Sequence, residues 1–200
     1  MKALYVLLGF LSLLIVGALI VFMIFIGIYN GQKIANEEAG SAWGNVEATQ
    51  QRRADLVPNL VATVKAYASH EEGTFTAVTE ARAKVGQINL TGITGDSAMM
   101  AKLFAAQGEL SSALSKLMVV AEDYPELKAS ENFRDLQSQL EGTENRINVA
   151  RQRYNESAQT VNSSVETFFG AIVAGFSGVE KREYFKASEK AQEVPVVDFE

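Results

Sequence analysis

His70 is the single histidine of the 200-residue chain, and cysteine is absent. Disulfides and thiolate chemistry are thereby excluded, and a transition-metal centre lacks its usual ligands. His70-Glu71-Glu72-Gly73-Thr74 carries threonine where the H-E-x-x-H zinc motif needs a second histidine. A di-iron bundle uses Glu-x-x-His pairs, but the residue three before His70 is Tyr67. His70 is instead expected to cap carbonyls at a helix end or to sit in solvent. There is no G-x-S-x-G elbow and no phosphate-cradling glycine loop. Gly92-Ile93-Thr94-Gly95 reads as a turn, with Asp96 as the cap of the helix that follows. The pairs Glu37-Glu38 and Glu71-Glu72 are adjacent in sequence, so their carboxylates project to different parts of a helix surface. The expectation is no catalytic residue, no cofactor and no metal ligand.

The polar groups with a defined place are Arg53, in Arg52-Arg53-Ala54-Asp55, and Glu144 with Asn145, in Glu144-Asn145-Arg146. Arg53 falls on an apolar seam, and Glu144 and Asn145 flank Thr143 on another. A charged pair at a helix layer fixes register more reliably than it adds stability. An internal polar layer of Arg53, Glu144 and Asn145 is therefore expected. A partner or ligand site and a solvated surface are the alternatives.

Two long helices must position that layer. From Ser130 to Phe169 the residues Phe133, Leu136, Leu140, Thr143, Ile147, Ala150, Tyr154, Ser157, Val161, Val165 and Phe168 recur every three and four positions. This is one helix with a narrow apolar stripe, roughly 60 Å long at ~1.5 Å per residue. Trp43, Val46, Gln50, Arg53, Val57, Leu60, Val64 and Tyr67 give the facing seam. Pro58 lies inside it and predicts a bend rather than a stop. Phe75, Val78, Arg82 and Val85 mark a shorter helix. Another runs from about Asp96 to Glu122 on Met100, Leu103, Gln107, Leu110, Leu114, Leu117 and Ala121. Strand signals are nearly absent and connections are short. The fold class is all-α, with residues 30–169 forming an antiparallel, coiled-coil-like four-helix bundle.

Ahead of the bundle, Ala3–Ile28 is uncharged between Lys2 and Lys33. About 20 apolar residues cross a bilayer, so residues 1–29 read as a single transmembrane anchor. A secretory signal would have a shorter apolar core and a cleavage site. With one flanking lysine at each end, the positive-inside bias leaves the side of the soluble body open. Three reversals return the last long helix to the membrane. Residues 170–200 are then an apolar membrane-proximal segment and an extended tail that includes Pro195–Phe199. Phe168, Phe169, Ile172, Val173 and Phe176 are too apolar for a solvated linker and are expected to meet lipid or a neighbouring copy. Of 18 basic residues, all but Lys2 lie beyond the anchor, so 17 stand against 24 acidic ones, a net −7 there. That balance, without a basic cluster, excludes nucleic acid as a partner.

Tyr29-Asn30, Ala42-Trp43, the run Gln51–Leu60, Val64–Glu71, Ala81-Arg82, Tyr124–Ala129 and Asn132-Phe133 form an ordered set of motifs. Leu140–Ile147, Ala150-Arg151, Tyr154-Asn155 and Pro195–Phe199 continue it. In these residues the chain resembles the LemA family of membrane-anchored bacterial proteins, over almost everything beyond the anchor. The family usually has Phe-Pro where this chain has Phe169-Gly170, so the exit from the last helix is expected to differ. The resemblance implies one N-terminal membrane helix, a helical bundle and a place in the bacterial cell membrane. It implies no activity. One member type is associated with building magnetosome membranes, and others are regarded as surface or envelope proteins. Two functions follow. One is a non-enzymatic membrane scaffold that forms a homo-oligomer and organises membrane or envelope proteins. The other is a tethered sensor or adaptor whose bundle binds a ligand or client. A hydrolase has no supporting motif.

Overall fold

The computed structural model describes residues 2–90 and 92–185. The tail motif Pro195–Phe199 lies outside the described residues. Among those described, the structure is all-helical. Helix α1 spans Lys2–Lys65, α2 Glu72–Gly86, α3 Ser97–Glu122, α4 Pro125–Ala129, α5 Glu131–Glu166 and α6 Phe168–Ser177, with a 3₁₀ turn at Ile93–Gly95. The apolar N-terminal stretch and the first amphipathic seam are thus one helix. Asp96 caps α3 by accepting from Ala98 N at 2.9 Å and Met99 N at 3.0 Å. Pro125 opens α4, where its missing N–H has no helical partner to lose.

Pro58 does not end α1. Its missing N–H leaves the Ala54 carbonyl without the usual i→i−4 donor. Arg82 of α2 supplies one, donating from Nε to Ala54 O at 2.8 Å.

The long helix expected over 130–169 is shorter. It stops at Glu166, and Thr167 is extended (φ −67°, ψ 154°) with its hydroxyl accepting from Gly170 N at 3.1 Å. A local side-chain cap here outcompetes helix propagation. Gly170 is required by a close approach, because a Cβ at this position would collide with the Ser164 carbonyl oxygen. The seam from Phe133 to Val165 is largely buried, whereas Phe168 lies past the break and is exposed.

The chain divides into two compact units. The first comprises residues 2–41 and 156–182. Its core is Ala35, Ala39, Val161, Val165 and Val179, with Ala174 packed against it. The second comprises 42–155 and, among the described residues, 183–185. One apolar core there gathers Val57, Leu60 and Val64 of α1, Phe75 and Val78 of α2, Leu110 and Leu117 of α3, Leu127 of α4, and Phe133 and Leu140 of α5. Five helices contribute to that core, so no one of them buries its stripe alone.

Candidate functional site

In the first unit the exposed apolar surface is continuous along α1. Large side chains from Leu4 to Ile26 stand open, on a stretch long and apolar enough to cross a membrane by length and composition. Helix α6 adds Phe168, Phe169, Ile172 and Phe176, which are 76%, 63%, 51% and 71% exposed. The Phe176 ring meets Phe25 of α1 edge-on, with centroids 5.6 Å apart. The exposed face of α6 therefore adjoins the end of the apolar stretch of α1. Val173, expected on that face, is 3% exposed and turned inward with Gly170 and Ser177. Gly170, Val173 and Ser177 recur at i, i+3 and i+7 and form the inward stripe of α6, which Phe169 and Phe176 flank.

A polar staple that the sequence reading missed holds α6 in this unit. The buried amide of Gln32 donates to Gly170 O at 2.8 Å and Ser164 O at 3.3 Å, and accepts from Ser177 Oγ at 2.7 Å. Gln32 thereby satisfies groups at both ends of α6. Its signal was present: Gln32, Ala35, Ala39 and Trp43 extend the α1 seam backwards with the same three-four spacing.

In the second unit Arg53 and Glu144 are brought together. Arg53 Nη1 donates to Glu144 Oε2 at 2.8 Å and to Ser111 Oγ of α3 at 3.2 Å. The Arg53 side chain is 3% exposed and that of Glu144 44% exposed. Asn145, read from the sequence as part of this layer, faces solvent instead. It follows Glu144 by one residue, a rotation of about 100° around the helix. Deeper along the layer, Gln107 Nε2 donates to Gln50 Oε1 at 3.3 Å. Arg53 Nε and Nη2, Gln50 Nε2, Gln107 Oε1 and Arg151 Nε are buried without a hydrogen-bond partner. Burial pushes the Arg151 guanidinium below the ordinary arginine range; Glu144 opposes that shift and Arg53 adds to it. Such a layer holds charge in place between α1, α3 and α5. A cavity of about 220 Å³ opens nearby, lined in part by Glu47, Gln50, Arg82 and Leu103. His70 is exposed in the turn between α1 and α2. No group of three His, Cys, Asp or Glu residues suited to a metal ion occurs among the described residues.

An all-helical protein with one long apolar N-terminal helix, consistent with membrane anchoring, is the class that fold and site define. The chain belongs to the LemA family, which matches residues 42–199. It is similar to the magnetosome protein MamQ of Magnetospirillum gryphiswaldense, with 26% identity over 186 residues, covering 84% of this chain and 68% of that protein. The same figures hold for MamQ 1 of Paramagnetospirillum magneticum. Protein LemA of Metamycoplasma hominis is 24% identical over 170 residues, covering 85% of this chain and 74% of its own length.

Proposed function

We propose that this protein is a non-enzymatic scaffold, anchored in the bacterial cell membrane by one span within residues 1–29, that self-associates and organises membrane or envelope proteins. The observation carrying the reading is the exposed face of α6 beside the anchor. Four large apolar side chains there are half or more open, and each gains roughly 1.5–3 kcal/mol when fully removed from water. A contiguous apolar patch of this kind marks an interface. A second copy is the favoured occupant, because anchoring two chains in one plane makes their association cheap. The name magnetosome protein, borne by relatives, supports a role in organising membranes. The helices of residues 30–169 are taken to form an antiparallel bundle with Arg53 and Glu144 as its register layer, supported by the shared core of α1 to α5. The reading as a tethered sensor or adaptor draws support from the unpartnered polar atoms around Arg53, which a ligand would satisfy.

The test is the mass of the detergent-solubilised full chain. Wild type should run as an assembly, and Ile172→Glu as a monomer of unchanged helicity. An Ile172→Glu protein that keeps the wild-type assembly mass ends the self-association reading.

A further inference from the structure

The three residues Glu183–Phe185 are held in the second unit as a peptide is held by a receptor. The Asn155 side-chain amide donates to Phe185 O at 3.0 Å and accepts from Phe185 N at 2.8 Å. That reciprocal pair is what a neighbouring strand would provide, and it reads backbone rather than side-chain identity. Tyr154 Oη donates to Glu183 O at 2.9 Å, and Glu183 N donates to Thr94 O at 2.8 Å. Residues 183 and 185 thus face the groove while Tyr184 between them points partly to solvent, the two-residue period of an extended segment. The Phe185 ring fills an aromatic cage. It stacks on Trp43 at 5.8 Å, and it meets Phe104 at 4.9 Å and Tyr154 edge-on at 5.4 Å. The Arg151 guanidinium sits 5.4 Å over it. Backbone hydrogen bonds for affinity and one aromatic side-chain pocket for specificity are the two parts of a peptide-recognition site.

We propose that this groove is a binding site for an extended segment carrying a phenylalanine at the position of Phe185, and that the segment of a second copy exchanges into it in place of the cis one. The inference rests on the self-association reading. No contact described depends on Phe185 belonging to the same chain, so an identical segment from another copy meets full complementarity at once. Helix α6 ends at Gly178, in the left-handed region at φ 65°, and the run that leads to Glu183 is non-helical. A left-handed glycine followed by a non-helical run is a joint that redirects the chain without breaking a helix. Copies anchored in one membrane plane present the segment to one another at high effective concentration.

Two arms test this on the full chain in detergent. In the first, the photoreactive p-benzoylphenylalanine replaces Phe185 in a chain carrying one tag, mixed with wild type carrying another. Co-purifying tags with cross-links from position 185 to the Trp43 or Phe104 region of the other-tagged chain are expected. Co-purifying tags with exclusively intrachain cross-links overturn the exchange while leaving self-association standing; tags that never co-purify overturn both. In the second, a labelled peptide of residues Val179–Phe185 is titrated onto Phe185→Ala protein of wild-type helicity. It should bind about tenfold more tightly than to wild type, and Asn155→Ala in the same background should return that factor, roughly one backbone-directed bond pair. A peptide that fails to saturate Phe185→Ala, or binds wild type equally well, refutes the groove itself.

Discussion

Removing the Arg82 guanidinium should strand the Ala54 carbonyl, and the size of the effect should depend on Pro58. Arg82→Met keeps the aliphatic stem but deletes the Nε–H that reaches Ala54 O at 2.8 Å. Hydrogen bonds from charged donors contribute about 1.5–3 kcal/mol, and a stranded buried acceptor costs about 1–3. Ala54 is only half-buried, so water recovers part of this and about 1–2 kcal/mol remains. Pro58→Ala supplies a backbone N–H four residues on. In wild type that N–H meets a carbonyl already satisfied, and the change gives up the restraint proline places on the unfolded chain. In Arg82→Met it meets an orphan. The gain from Pro58→Ala should therefore be larger in the Arg82→Met background, by about 1 kcal/mol of coupling. We further propose that α1 bends at Pro58, since the ring crowds the carbonyl that Arg82 reaches. Trp43 is the single tryptophan and is buried in the same unit, so its fluorescence reports melting of the detergent-solubilised full chain. At about 2–4 °C per kcal/mol, the coupling appears as a Tm difference of a few degrees. Equal gains from Pro58→Ala in both backgrounds would refute the compensation.

Glu144→Ala leaves a guanidinium charge buried, whereas Arg53→Met leaves a carboxylate that is 44% exposed and can hydrate. Glu144→Ala should therefore cost about 2 kcal/mol and Arg53→Met under 1; melts showing the reverse order would sink that account. Exchanging the two charges should preserve folding better than Arg53→Glu alone, which sets two acids at one layer. Gly170→Ala should drive a methyl group against the Ser164 carbonyl and destabilise α6 by about 1–3 kcal/mol. Hydrogen exchange at the α6 amides should quicken, and unchanged protection would show that the turn relaxes freely.

The sequence made the seams legible because burial of a helical stripe imposes its own period. Val57, Leu60 and Val64, or Ile147, Tyr154 and Val161, could be read off by counting threes and fours. Counting also placed Arg53 on one stripe and Glu144 beside another, without separating Glu144 from Asn145. It failed where one hydrogen bond decides the structure. Nothing in the pattern says that Thr167 will cap a new helix instead of extending the old one, since that choice depends on a hydroxyl meeting Gly170 N. Nor does periodicity distinguish Val173, turned inward, from Ile172, turned outward, until the helix start is known.

The misses share a physical cause that bears on function. Gln32, Arg82 and Asn155 are polar side chains whose partners are backbone groups far away in sequence: Gly170 O, Ala54 O and the Phe185 peptide. Each also reaches a backbone group that helix geometry has left open: Ser164 O in the last turn of α5, Ala54 O at the proline and the Phe185 peptide on a non-helical segment. Apolar stripes dictate which helices meet but tolerate small slides along one another. A directional bond to one carbonyl does not tolerate them, since it weakens steeply with angle and distance. The apolar residues of this chain therefore supply cohesion, and its isolated amides and guanidinium set position. The same division makes the Asn155 groove separable from the core: its amide binds a backbone, and any extended segment with a fitting aromatic side chain presents one.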